Sequence, residues 1–396
     1  MRYKRIILKI VNGLWAIPLL FFIRLIKPFI FIKFLSINSI RIGHFVVDSV
    51  HQILAKDFPR EGYKLISFEE PTANNYWATY IKRHGNSIIK QWSKYLVYWN
   101  IKIPGGKDHM LASSSTISGD IHGLLEKSNL NLTFRENENE EGKSWLKSKG
   151  WHEGEKFVCL IVRDSAYLET HEELGVFNWS YHDYRNSSIE DYLPALDWLT
   201  DQGVWVIRMG KVMKNQIKSE NKRIIDYAFL EDRSDFLDVW LFANCDLCIS
   251  TGTGPDAVSN IFRRPSLYLN FLPLSHIVSW SNAMTVPKKL LWKESGKALS
   301  LKEYIKHTFS EDIVNPRNKN IEIKNLSRDE ILTSVKECWR FITNSIEFEQ
   351  EDRVIQNKFW EILKSEPKSQ GFHDWIHPKA RIGLSWIKSK DKSFLL

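Results

Sequence analysis

Thr251-Gly252-Thr253-Gly254-Pro255 sets two glycines and two threonine hydroxyls directly after the short apolar run Asp246–Ser250. Hydroxyls of Ser250, Thr251 and Thr253 beside backbone N–H groups at a helix start would suit an anion, above all a phosphate. A purely structural turn of this kind also needs glycine, because glycine accepts positive φ. The spacing is neither a Gly-Lys-Ser/Thr phosphate loop nor Gly-x-Gly-x-x-Gly. Two arginines stand at comparable places: Arg163 follows the apolar run Lys156–Val162, and Arg208 ends Val204–Arg208. A guanidinium holds a phosphate through two parallel hydrogen bonds. The alternative is structural ion pairing of Arg163 and Arg208 with Asp164, Asp183 or Asp226. Nearer the amino terminus, Gly43-His44 and Asp48 offer acid–base chemistry. His44 is a candidate for contacting an acceptor, with Asp48 one helical turn on to orient it or to act itself. A lone histidine at such a turn also serves as a structural hydrogen-bonder.

The elements that must position these residues follow from periodicity. Phe236–Asn244 reads as a helix capped by Ser234-Asp235, Asp246–Ser250 as a strand, Asp256–Phe262 as a helix and Ser266–Asn270 as a strand. Upstream, Lys156–Val162 is nearly all apolar, as in a strand buried on both faces. Ile189–Thr200 is a helix capped by Ser187/Ser188 and ended by Gly203; Val204–Arg208 and Ile224–Tyr227 are further strands. This alternation predicts a parallel, doubly wound sheet with right-handed crossovers. Its strand ends would place Arg163, Arg208 and Ser250-Thr251 along one edge, where open α/β sheets bind ligands. The polar loop 166–187, with His171, His182 and Asp183-Tyr184-Arg185-Asn186, is long enough to suggest a functional segment.

In the amino-terminal half, Ile37–Phe45 reads as a strand ending at Gly43-His44, Val46–Ala55 as a helix, Tyr63–Glu69 as a strand and Leu96–Ile103 as strand-like. The charged stretch Thr133–Gly150 reads as linker, with a solvated surface over Glu136–Gly142. Four parts are expected: residues 1–35, 36–150, 151–325 and 326–396. The last holds capped helices over Ile331–Asn344 and Glu347–Leu363. Phe271–Leu274 reads as a loop able to close over the site.

The chain has 396 residues, 43% hydrophobic and 26% charged, enough for two folded domains. A net charge of +8 fits anionic partners. No zinc finger, arginine-rich arm or RNA-binding aromatic motif is present, so nucleic acid is not expected as a partner. Cys159, Cys245, Cys248 and Cys338 read as buried thiols; Cys245-x-x-Cys248 lacks a second ligand pair. Residues 1–35 are basic and apolar. Their longest uncharged run, Ile10–Ile23, is 14 residues, short of the ~20 that a spanning helix needs. An interfacial membrane segment facing the cytoplasm is the first reading. A helix buried against the rest of the protein or an oligomer partner, and a single spanning anchor, are the others.

The stretches VRDSAY (from Val162), DYRN (from Asp183), VIRMG (from Val206) and Ser234–Asp256 resemble a bacterial family of glycosyltransferases known mainly from surface-polysaccharide loci. The last stretch is also similar to the donor domain of GT-B glycosyltransferases such as heptosyltransferases. The resemblance implies two Rossmann-like domains facing a cleft, with an amino-terminal membrane-associating segment. It implies transfer of a sugar from a nucleotide-diphosphate sugar to an envelope or lipid-linked glycan acceptor, without cofactor or metal, at the cytoplasmic face of the inner membrane. Donor contacts would come from Arg163, Asp164, Arg185, Asn186, Arg208, Gly210, Ser250, Thr251, Gly252, Thr253, Gly254 and Asp256. His44, Asp48 and Arg163 would be catalytic. A 2-epimerase-like enzyme on the same fold and a non-catalytic nucleotide-binding protein are the rival readings.

Overall fold

The computed structural model describes residues 13–54, 62–84, 88–111, 119–166, 184–306, 320–345 and 349–395. They fall into two compact units, the described residues of Met1–Asp120 with Leu124–Leu132, and those of Ile121–Gly123 with Thr133–Leu396.

The first unit opens with helix α1 (Ala16–Leu25), whose Ala16, Leu20 and Ile23 share one face at the spacing of successive turns. That face packs into a core with Phe34, Leu65, Leu96 and Val97. A parallel sheet follows, β1 (Phe31–Ile37), β2 (Gly62–Phe68) and β3 (Ile88–Ile89), in that order across the sheet. Helices α2 (Ile42–Leu54), α3 (Asn75–His84), α4 (Ser93–Asn100) and the short α5 (Leu124–Lys127) accompany it.

Three expectations change here. The strand expected at Ile37–Phe45 lies earlier, over Phe31–Ile37, so part of the basic apolar segment is a sheet strand. Ile37–Phe45 is apolar enough for a strand, but β1 pairs residue for residue with β2, from Phe31 with Gly62 to Ile37 with Phe68, and the chain turns immediately after. His44 therefore sits in the first turn of α2 rather than at a strand end. Leu96–Ile103 also departs from its strand-like reading: Ser93, Leu96, Val97 and Asn100 are buried at helical spacing. Aromatic and β-branched residues favour strands only weakly, and burial of this stripe outweighs them.

The second unit is built on seven strands: β4 (Phe157–Ile161), β5 (Trp205–Arg208), β6 (Ile224–Ile225), β7 (Leu247–Ser250), β8 (Ser266–Phe271), β9 (Ala283–Pro287) and the late β12 (Arg381–Ile382). Every pairing is parallel. The order across the sheet is β12-β9-β8-β7-β4-β5-β6. A small antiparallel pair, β10 (Lys289–Trp292) and β11 (Ile321–Lys324), lies outside it, with helix α10 (Leu301–Lys306) between them in the chain.

Val158, Leu160, Val206, Leu247, Ile249 and Leu269 join one core with Leu196 and Leu199 of helix α7 (Leu193–Asp201) and Ile331 and Val335 of helix α11 (Arg328–Ile342). Cys159, Ile207 and Cys248, each one residue along and so on the opposite face, are also fully buried. Cover on both faces is what the apolar run at 156–162 implied. Ser234 caps helix α8 (Asp235–Asn244), accepting from Leu237 N at 3.1 Å. Ser327 and Glu330 form the expected capping box of α11.

The expected linker is different. Residues Glu136–Ser148 form helix α6, and its Gly142 lies against Trp240 of α8. Charge alone reads as linker; the glycine that permits close approach sits among ten polar residues of the helix. A Cβ at Gly142 would stand 2.2 Å from the Trp240 ring. Gly142→Ala gains up to about 1 kcal/mol of helix propensity but must displace that ring, at about 1–3 kcal/mol. A net loss of stability is expected, seen as a lower urea midpoint; an unchanged or higher midpoint would mean that α6 does not press on α8.

Candidate functional site

From β4 the chain winds outward through β5 and β6, then returns to the other side of β4 for β7, β8 and β9. Read along the sheet, β6-β5-β4-β7-β8-β9 is the 3-2-1-4-5-6 order of a Rossmann-type sheet, whose ligand crevice opens where the winding reverses. Here that point lies beyond the carboxyl ends of β4 and β7, whose last paired residues are Ile161 and Ser250. The following loops are tied together: Arg163 N donates to Thr251 Oγ1 at 2.9 Å, and Thr251 N to Ile161 O at 3.3 Å.

The turn after β7 is arranged differently from the expected anion cradle. Gly252 N donates to Ser250 Oγ at 3.0 Å, and Ser250 Oγ donates to Asp256 Oδ2 at 2.6 Å. Thr253 N donates to the same carboxylate oxygen at 2.6 Å. The chain's own Ser250 and Asp256 thus take the donors at 252 and 253, respectively, that a phosphate would need. Burial pushes the Asp256 carboxyl up to about 6, against the opposing effects of these hydrogen bonds and the nearby Arg185 charge. Helix α9 (Asp256–Ile261) is only 6 residues long and supplies little dipole. Gly252 has φ +76°, and a Cβ there would lie 2.7 Å from the Phe271 ring, so the glycine is structurally required. Gly254 is exposed.

Cations gather above this turn instead. Arg185 donates through Nη2 to Gly252 O. Arg163 Nε donates to Asn186 Oδ1 at 3.3 Å. The Asn186 carbonyl accepts from Lys288 Nζ at 2.7 Å, and Asn325 Oδ1 accepts from the same ammonium at 2.6 Å. Lys288 follows β9 directly and is 2% exposed. Burial lowers its pKa to about 8. His276 lies near Arg185; burial and that charge both lower its pKa. Arg163, Arg185 and Asn186 are only partly buried and so within reach of a ligand.

Asp164 shapes the loops, accepting from Ala166 N and Lys214 N, each at 2.9 Å. Gly210 lies in the loop after β5, its carbonyl 3.5 Å from Arg233 Nη1. Arg208 takes the structural alternative: it is 1% exposed, pairs with Asp226 at 3.2 Å and donates to Asn215 O at 2.6 Å. The strand end brings it to the sheet edge, but its side chain turns inward over the Phe229 ring. His171, His182 and Asp183 lie outside the described residues.

Lys288 is the residue that sequence reading missed. Its signal was present: a lysine directly after the short apolar run Ala283–Pro287, equivalent to Arg163 after β4. That run was not recognised as a strand.

In the first unit, burial and Arg41 lower the His44 pKa to about 4, so it is neutral at ordinary pH. Asp48 is 9% exposed on the same helix. His51 lies 3.6 Å from Asp120, whose carboxylate caps Leu124 and Leu125 at 2.8 and 2.7 Å. All four cysteines are free and buried. Among the described residues no three His, Cys, Asp or Glu side chains converge as metal ligands would.

No protein-family model matches the chain, and no curated protein does. Among solved structures, a glycosyl transferase of family 9 from Veillonella parvula aligns over 77% of this chain and 96% of its own, at 12% identity and TM-score 0.47. The E. coli ADP-heptose lipopolysaccharide heptosyltransferase II aligns over 79% and 99%, at 12% identity and TM-score 0.41. A UDP-GlcNAc 2-epimerase from Methanocaldococcus jannaschii aligns over 76% and 81%, at 11% identity and TM-score 0.26. With values this low, the strand order and side-chain geometry are the grounds for a functional reading.

Because the folded Asp256 pKa is raised, its protonated form favours the fold, and this contribution fades as pH rises from about 4 through about 6. Asp256→Asn keeps an acceptor for Thr253 N and removes the titration. The variant is expected to match wild type near pH 4 and to exceed it above pH 7 by about 1–3 kcal/mol. Thermal melts across this range check the sign; equal melting curves at every pH would refute the raised pKa.

Proposed function

We propose that the cluster Arg163, Arg185, Asn186 and Lys288 binds the diphosphate of a nucleotide sugar, and that the protein is a glycosyltransferase acting on an envelope or lipid-linked glycan acceptor. The observation that carries this is the convergence of three cationic side chains on the reversal point between β4 and β7. Cations gathered at such a reversal point suit an anionic ligand. The likeness of VRDSAY, DYRN and Ser234–Asp256 to glycosyltransferase sequences supports the same ligand class.

In the reaction, the bond from the anomeric carbon to the β-phosphate oxygen breaks, and its electron pair leaves with the diphosphate. Arg163, Arg185 and Lys288 stabilise the growing negative charge, which is greater in the transition state than in the bound donor. The acceptor hydroxyl forms the new bond and gives up its proton. His44, with a pKa near 4, is a weak base at neutral pH, and Asp48, one turn further along the same helix, is the other amino-terminal candidate to take that proton. Thr251 and Asp256 hold the loops; Arg208 with Asp226 braces the sheet edge.

Arg185→Ala and Lys288→Met are expected to weaken ADP or UDP binding roughly tenfold or more each by calorimetry. Lys288→Met exchanges a buried ammonium for an apolar chain of similar length, so its melting temperature should stay within a few degrees of wild type. Unchanged nucleotide binding in both variants would refute the site. With a panel of nucleotide sugars, transfer to a glycan acceptor supports the reaction; conversion of the donor to its epimer without acceptor would replace it.

A further inference from the structure

Helix α1 is apolar on every side, and only one side is used by the fold. Ala16, Leu20 and Ile23 enter the core, whereas Phe21, Phe22 and Leu25 are 58%, 56% and 75% exposed, and Phe29 just beyond is 77% exposed. Leu14, Trp15 and Ile30 extend the same surface. Single exposed apolar residues are ordinary on a soluble protein; a contiguous group of this size is not.

The border of the patch has its own character. Trp15 meets Trp92 and Tyr95 edge to face, with ring centroids 5.9 and 6.1 Å apart. Trp92, preceding α4, is itself 42% exposed. Residues 13–35 contain three basic side chains, Arg24, Lys27 and Lys33, and no acidic one. Lys27 and Lys33 both lie over the Phe31 ring, at 5.4 Å, and Lys27 also pairs with the exposed Asp108 at 2.8 Å, so the unbalanced charge of the border comes from Lys33, Lys102 and Lys107 with Arg24. Lys102 and Lys107, from the segment to which Arg24 is hydrogen-bonded through Pro104 O, are exposed. An apolar centre, an aromatic rim and a positive border together complement a bilayer with anionic headgroups: tryptophan favours the headgroup level, and lysine keeps its charge in water while its stem stays apolar.

We propose that α1 and the Trp15–Trp92–Tyr95 cluster form a docking face for an anionic phospholipid bilayer, with α1 lying in the plane of the surface. Its 10 residues span about 15 Å, half of the ~30 Å hydrocarbon thickness. Among the described residues no helix is long and apolar enough to cross a membrane. The face holds its shape before any lipid arrives, because the opposite side of α1 is fixed in the core by Leu20 and Ile23. This inference is independent of the nucleotide site, since vesicle binding and nucleotide binding are separate measurements.

The test is flotation of the full chain with vesicles of phosphatidylcholine alone or of equal parts phosphatidylcholine and phosphatidylglycerol. Wild type is expected to float with the anionic vesicles and far less with the neutral ones. The triple variant Phe21→Ser, Phe22→Ser, Leu25→Ser should lose roughly tenfold or more of that partition, with its melting temperature and nucleotide binding kept, since these side chains lie outside the core. Lys102→Glu with Lys107→Glu should weaken anionic binding several-fold while leaving the apolar face intact. Flotation of the triple variant equal to wild type would overturn the proposal. So would light scattering showing a wild-type dimer that the triple variant turns into a monomer, because the patch would then cover a second copy.

Discussion

The parallel pairing of β4 with neighbours on both sides is the constraint on which the second unit depends. Phe157–Ile161 is hydrogen-bonded to β5 and to β7, and the Asp246 carboxylate accepts from Phe157 N at 2.9 Å, setting where β4 begins. Because all strands run the same way, every strand end delivers its next residues to a single edge. Because the winding reverses at β4, the loops after β4 and β7 leave that edge in opposite directions. Arg163 and Thr251 are thereby neighbours although 88 positions apart. Lys288, far along the chain after β9, reaches the same place through this reversal.

The turn at Thr251–Pro255 and the cations around it divide the work. A glycine-rich turn after a strand invites the view that its amides hold a phosphate. Here the Asp256 carboxylate takes the Thr253 amide, and Ser250 Oγ, itself bonded to that carboxylate, takes the Gly252 amide. The carboxylate makes the turn stiff and leaves its backbone a poor anion receptor. Arg185, bonded to the carbonyl of Gly252, then rests on a braced surface. Positive charge comes from side chains on neighbouring loops, which a substrate of variable shape can move more easily than a backbone nest.

Legibility in the sequence followed the strength of each local pattern. The run 156–162, the alternation through residue 270 and the caps at Ser234 and Ser327 each identify an element, because burial on both faces and unsatisfied helix ends leave direct marks. The edge location of Arg163 and Thr251 followed from that alternation. What could not be read was side-chain direction: Arg163 and Arg208 end equivalent strands, yet Asp226 draws one of them inside. Nor could the sequence separate a strand such as Ala283–Pro287 from a loop when it is short, and Lys288 was lost with it. In the first unit, two errors share one cause. Apolar runs at 37–45 and 96–103 carry no periodicity strong enough to overcome tertiary packing, and His44 was displaced from its expected setting as a result.

Strand β1 gives the amino-terminal segment a second identity. A peripheral tether is usually separable: evolution can shed it, a protease can clip it, or translation can start beyond it, and a soluble domain remains. Here the basic apolar segment runs straight into Phe31–Ile37, a strand paired along its whole length with β2, while α1 lines the same core. Any product beginning after residue 37 would expose one flank of β2 and the apolar floor beneath α1. Removing the segment therefore removes a strand and part of the core of the first unit, not a separable appendage.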